Sequence, residues 1–219
     1  MEYHKRAVDI APDEPNLRSN LGIAYVNLGR FAEAEREFRF SIGLHETMTG
    51  TFVLGQTLMY EGKDQEAVPF LERAATMKSQ PGGTKRYTPL MYLGIAYRRL
   101  NLGNKAKEAN RRGLEMAAAD LINPRVGVVL SYVAYFDAAL GDRQHAETEI
   151  TKALGLSNRS LTRWNAVLSY ETLGLREKTL GLLSTSTREQ LADVNRWPDL
   201  ADLQANPRFI QLNAIHQLR

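Results

Sequence analysis

The chain has 219 residues, 43% of them hydrophobic and 24% charged, enough apolar material for one elongated unit or one large domain. It has no cysteine, which excludes a disulfide framework, a thiolate metal site and a cysteine nucleophile. Its formal net charge of +3 is too small to call for nucleic acid without a clustered patch. No apolar run reaches the ~18 residues of a membrane span, and Met1-Glu2-Tyr3-His4-Lys5-Arg6 leads into no secretory signal, so a cytoplasmic protein is expected.

In chain order, residues 1–14 come first. His4 to Pro12 reads as the second helix of a repeat whose first helix is missing, and a piece of a longer chain is expected. From Asn16 to Leu28 the pattern predicts a helix that ends at Gly29, a residue suited to a left-handed cap. The next helix carries Ala34, Phe38 and Ser41 on one stripe. Leu21-Gly22-Ile23-Ala24-Tyr25 then recurs letter for letter as Leu93-Gly94-Ile95-Ala96-Tyr97, with Leu54-Gly55-Gln56-Thr57-Leu58 as a looser copy. An alanine follows each glycine after twelve residues, at Ala34, Ala67 and Ala106, and the same step joins Ala134 to Ala146 and Val167 to Thr179. Copies begin 33, 39, 40 and 33 residues apart and divide residues 15–186 into five repeats, at about 15–47, 48–81, 87–120, 127–159 and 160–186.

The longer steps require insertions. Ser79 to Thr84 is a loop by composition, and Asn123 with Pro124 is a helix-start signal. Gly62, Gly141 and Gly174 punctuate the later copies. Gly103 falls two residues late, which predicts a longer first helix or a looser turn in the third copy. The small residues Gly22 and Ala34 are expected where the two helices cross, with Tyr25 and Phe38 filling the space between one pair and the next. Residues 187–219 differ in kind. Thr187 with Gln190 forms a capping box for a helix through Val194, and Asn206-Pro207 opens a last helix through Leu218 with Phe209, Leu212 and Ile215 apolar.

From Pro15 to Leu183 these residues resemble the tetratricopeptide repeat family. The first copy fits at Leu21, Gly22, Tyr25, Gly29, Ala34, Phe38 and Ser41. The fourth departs at Asp137, which stands in the usual tyrosine position, and the fifth keeps Tyr170 and Gly174 but loses both small residues. The resemblance implies an all-α fold, a right-handed α-solenoid of stacked antiparallel helix pairs closed by a C-terminal capping helix. It implies a protein–protein interaction scaffold that binds a peptide or a partner's helix on the concave face. Trp197-Pro198-Asp199-Leu200 through Phe209 is also similar to the ending of large bacterial proteins of this family, where the repeats follow a serine/threonine kinase, a cyclase or a DNA-binding regulator. The alternative function is therefore a regulatory segment of such a signalling enzyme.

No catalytic chemistry is legible. His4, His45, His145 and His216 stand in no metal-ligand spacing, and no phosphate loop, nucleophile elbow or kinase motif occurs. The chain is expected to be no enzyme, with no metal, no cofactor, no small-molecule substrate and no membrane partner. Lys85, Arg86, Arg98, Arg99, Lys105, Lys107, Arg111 and Arg112 make the third repeat basic, but they divide between its two helices, so nucleic acid ranks behind an acidic peptide.

In the family the first helices line the concave face. The register then places Asn27, Gln56, Tyr60, Met91, Ile95, Arg98, Arg99, Tyr135 and Trp164 in the candidate partner-binding groove. Of the inward positions, Phe52, Met91 and Trp164 are read first as packing between adjacent helices, and Tyr60, Arg98 and Arg99 are the better groove candidates. The implied partner is a protein or peptide with an acidic group and an apolar anchor. Ser19, Ile23, Val53, Thr88 and Tyr92 stand where some members grip chaperone tails with lysine, asparagine and arginine, so that clamp is not expected here.

Overall fold

The structure, a computed structural model, describes residues 1–79, 83–121 and 126–217. The middle of the expected Ser79–Thr84 loop, the expected Asn123–Pro124 helix start and Leu218 lie outside the described residues. Among the described residues there is no strand, and fourteen α-helices follow one another. A single helix α1 (Glu2–Ile10) precedes the pairs α2 (Pro15–Asn27) with α3 (Phe31–Leu44) and α4 (Met48–Tyr60) with α5 (Asp64–Thr76). Next come α6 (Tyr87–Arg99), α7 (Gly103–Ala119), α8 (Val126–Leu140), α9 (Arg143–Leu156), α10 (Ser160–Thr172) and α11 (Arg176–Leu183). The chain ends in α12 (Arg188–Arg196), a 3-10 turn at Pro198–Leu200, α13 (Ala201–Gln204) and α14 (Pro207–Gln217). These elements form two compact units, residues 1–109 and 110–219, with the boundary inside α7.

One turn is used five times. After the first helix of each pair, a backbone N–H reaches back five residues: Arg30 to the Tyr25 carbonyl, Lys63 to Leu58, Leu102 to Tyr97, Asp142 to Asp137 and Leu175 to Tyr170, all at 2.8–2.9 Å. This bond closes a helix C-terminus when the intervening residue adopts a left-handed conformation. Gly29, Gly62, Gly141 and Gly174 do so, with φ between 70° and 93°. In the third copy Asn101 takes the role at φ 59°. The late Gly103 therefore signals neither a longer helix nor a looser turn: α6 has thirteen residues, like α2 and α4. Asparagine is the side chain that best tolerates this conformation after glycine.

In the first unit the atoms nearest the crossing glycines belong to larger side chains, with the Ala67 carbonyl oxygen next at Gly55, 3.4 Å from where its Cβ would stand. A methyl group at Gly22 would stand 2.7 Å from the Phe38 ring, and one at Gly55 would stand 2.9 Å from Leu71. Phe38 and Leu71 are fully buried, and both lie sixteen residues after their glycine. Ala34 and Ala67 are buried too, but the space vacated by glycine is filled by the larger residue one turn further on. Each such buried side chain contributes roughly 1.5–3 kcal/mol. Polar ties join one pair to the next: Lys63, just ahead of α5, bonds Glu35 of α3 at 2.8 Å, and Arg73 of α5 bonds Glu46 at 2.5 Å. Helix α6 is buried on every side from Tyr87 to Tyr97.

In the second unit α8 packs against α9, and α10 lies on both. Ala134, Ile150, Ala166 and Tyr170 form the centre, with Leu154, Leu175 and Leu182 against them. Asn165 donates to Ser131 at 3.0 Å, a buried bond that ties α10 to α8. The capping box of Thr187 and Gln190 opens α12, which runs past the expected Val194 to Arg196. The following stretch is not a plain link: the 3-10 turn and α13 bury Leu200 and Leu203 beside Trp197 and Phe209. Gln204 donates to the carbonyls of Val194 and Trp197, both at 2.9 Å, which satisfies the end of α12.

Candidate functional site

The first helices were the expected lining of the groove, and in the first unit two of them do present a surface. On α2, Asn16, Asn20, Ile23 and Asn27 are exposed at spacings of four, three and four residues, one helical stripe. Ile23 is 46% exposed, unusual for isoleucine on a helix whose Leu21 and Tyr25 are buried. On α4 the same spacing brings Thr49, Val53, Gln56 and Tyr60 to the less buried side. Gln56 donates through Nε2 to the Tyr92 hydroxyl at 2.8 Å, and the Tyr60 ring stacks on Phe31 at 5.0 Å with 8° between planes. No residue of α4 is charged, and Arg18, the one charge on α2, is paired with Glu37 at 3.0 Å.

Of the nine candidate groove residues, Asn27, Gln56, Tyr60 and Arg98 reach the surface in this unit. Met91 and Ile95 do not, at 0% and 1% exposed. They belong to a helix apolar on all sides, and such a helix has no solvent face to offer. Arg99 is also corrected. Its Nη1 bonds Asp64 at 2.9 Å and the Met59 carbonyl at 3.1 Å, with both charged side chains 12–13% exposed. It ties α6 to α4 and α5, and its removal would strand a half-buried carboxylate.

The basic cluster is divided as the sequence implies. Arg98 and Arg99 lie on α6 and Lys105, Lys107, Arg111 and Arg112 on α7. Lys105 stands over the Tyr97 ring at 5.5 Å.

In the second unit Tyr135 is only 2% exposed and lies edge-on to Phe136, so it is a core residue of α8. Trp164 is half-buried on α10, edge-on to Trp197 at 5.8 Å.

Asp137, the departure from the repeat pattern, is explained by a partner that its spacing did not reveal. His145 of α9 bonds its carboxylate through Nδ1 at 2.5 Å, and Glu149 lies 3.9 Å from the other ring nitrogen. Burial pushes the Asp137 carboxyl up, and the bond to Asp137 raises the His145 imidazole. A hydrogen-bonded carboxylate–imidazole pair thus occupies the place of a packed aromatic. Among the described residues no group of three or more histidines and carboxylates could hold a metal ion.

No family model matches the sequence, and no curated protein matches it. Solved structures do. The chain is similar over 98% of its length to a chain of the APC/C hetero-tetramer Cut9–Hcn1, with TM-score 0.59 and 15% identity, and it spans 45% of that chain. It is similar over 94% of its length to a thermophilic tetratricopeptide repeat protein of Thermus thermophilus, with TM-score 0.57, 19% identity and all of that chain covered. The fold is therefore that of tetratricopeptide repeat proteins, an all-α solenoid of packed helix pairs. No described helix is long and apolar enough to cross a membrane.

Proposed function

We propose that the chain is a protein-interaction scaffold that holds a partner's peptide segment along the exposed stripes of α2 and α4. The carrying observation is the chemistry of that wall. Asn16, Asn20, Asn27 and Gln56 present side-chain amides, each with donors and an acceptor that suit a peptide backbone. Ile23, Val53 and Tyr60 add apolar area at the same register positions, where an anchoring side chain gains most. Exposed Arg98 on α6 is the cation for an acidic group of the partner. The Cut9–Hcn1 hetero-tetramer, an assembly containing a chain of similar fold, supports this reading.

The signalling-enzyme alternative rested on the Trp197–Phe209 segment, and that segment has a packing role of its own. Trp197 and Phe209 are both fully buried. The scaffold reading is tested by capturing partners with the wild-type chain and with Ile23→Asp/Val53→Asp, both at unchanged helicity. Binding should weaken by roughly 1–3 kcal/mol for hot-spot side chains, with the melting temperature little moved. Equal capture by the two forms would remove this wall as the site.

A further inference from the structure

Arg163 differs from the other half-buried arginines among the described residues. Among the described residues, the arginines that are not exposed are Arg18, Arg99, Arg163, Arg176 and Arg196. Four of them pair with carboxylates: Arg18 with Glu37, Arg99 with Asp64, Arg176 with Glu171 and Arg196 with Asp193. Arg163 has only neutral acceptors. Its Nη2 donates to the Leu182 carbonyl, to Thr185 Oγ1 at 2.9 Å and to Ser186 Oγ at 3.0 Å, and its Nη1 reaches Asn158 Oδ1 at 3.4 Å. Its Nε is buried without an acceptor. Burial pushes the guanidinium pKa down, and no carboxylate offsets the cost.

The residue lines a narrow, partly open cleft between α10 and α12. Trp164, Val167 and Val194 give it apolar walls, and Ser160 and Gln190 are polar. Ser160 and Gln190 lie in the first turns of their helices, where the helix dipole adds positive potential, and Gln190 Nε2 donates to Ser160 Oγ at 3.3 Å. Exposed Arg159 and Arg188 flank those turns. Two carboxylates stand nearby. Asp193 lines the cleft but is engaged by Arg196, and Glu189 is exposed on the first turn of α12.

We infer that this cleft is a binding site for an acidic side chain of a partner segment, with Arg163 as its cation and Trp164 as the platform for the adjoining apolar residue. A carboxylate supplies the counter-charge the other half-buried arginines already have, and guanidinium is the donor best matched to it. The site rests on the scaffold reading only in that a partner segment brings the carboxylate. It lies in the second unit and is separate from the stripes of α2 and α4. The sequence signals for it were slight: Trp164 carried an expectation, but nothing in the spacing marked its neighbour Arg163 as lacking a carboxylate.

The test uses blocked peptides on the full chain, followed by NMR of the Arg163 Nε–H, the Trp164 indole N–H and the Gln190 amide. Acetyl-Leu-Glu-Leu-amide should shift these three signals saturably. Its glutamine counterpart should bind at least about tenfold more weakly, the loss expected for a charge-assisted pair. Acetyl-Leu-Gln-Leu with a free C-terminus distinguishes a chain-end carboxylate from a side-chain one. Arg163→Gln should abolish the response, and Arg163→Lys, which keeps the charge if the end of α11 needs it, should retain a weakened one. Equal shifts by the glutamate and glutamine peptides would overturn the inference. So would preference for the free C-terminus, or shifts confined to Arg159 and Arg188. If this cleft fails while Ile23→Asp/Val53→Asp still loses a partner, the scaffold reading stands without it.

Discussion

Gly113 shows how closely a single residue can be specified. A methyl group there would lie 2.3 Å from Phe136 Cζ, and Phe136 is fully buried with no room to withdraw. Gly113→Ala should therefore cost about 1–3 kcal/mol, the usual range for overpacking. Gly43, on the exposed side of α3, has nothing within 4 Å of the same position. There the better helix propensity of alanine should stabilise by about 0.5–1 kcal/mol. Chemical denaturation of both variants checks the pair, and equal effects would mean that helix propensity, not the Phe136 contact, sets the Gly113 result.

Charge makes a second prediction at this scale. Burial alone would raise the Glu35 carboxyl, but hydrogen bonds from Lys63 and Arg39 outweigh it and hold the pKa at about 2, below the ordinary 4.5. A depressed carboxylate pKa contributes stability above the unfolded value, and that stability drains as pH falls from about 4.5 towards 2. Glu61, which shares Lys63, is raised mainly by burial and works in the opposite sense. The melting-temperature gap between wild type and Glu35→Gln should narrow over that acid interval. A gap that stays constant would mean that Glu35 is not held by these cations.

Among the elements, α5 carries a flaw that its packing overcomes. Pro69 sits inside Asp64–Thr76, where it can donate no helical hydrogen bond. It is exposed, so replacing it disturbs no core contact. Pro69→Ala should raise stability by up to about 3 kcal/mol, measured by urea unfolding at constant slope. No change would show that α5 is already bent to suit the proline. Element boundaries were largely written in the sequence because glycine, asparagine and capping residues act locally. The Leu-Gly-Ile-Ala-Tyr of the first copy is a further case: its Gly22 marks a helix crossing. What stayed hidden was which residue fills each crossing, since Phe38 and Leu71 reach back a turn along the partner helix. The groove was less legible. Periodicity shows which residues share a helix face, but whether that face meets water depends on neighbours distant in sequence. That is why Ile95 and Tyr135, reasonable as inward positions, turn out to be core, as does Met91, whose packing was the first reading, while Ile23 and Val53 reach the surface.

For the whole molecule, the C-terminal segment carries the last prediction. A helix pair at the end of a stack has an apolar flank that no further repeat covers. Here Leu180, Leu183, Leu191 and Val194 are at most 2% exposed, and they lie where α10, α11 and α12 meet the tail. The tail fills that flank with Trp197, Leu203 and Phe209, all fully buried, and anchors itself through the Gln204 bonds to Val194 and Trp197. Removing residues 197–219 should leave α12 with an unsatisfied C-terminus and uncover a contiguous apolar patch. Such patches promote association. The truncated chain should elute as larger species in size-exclusion chromatography and melt at lower temperature than the full chain. Trp197→Ala alone should reproduce much of the loss, roughly 3–5 kcal/mol for a buried tryptophan, because it empties the centre of the packing without shortening the chain. If the truncation stays monomeric and equally stable, the tail does not complete the stack, and the burial of Trp197 would have to be read as the docking of a dispensable arm.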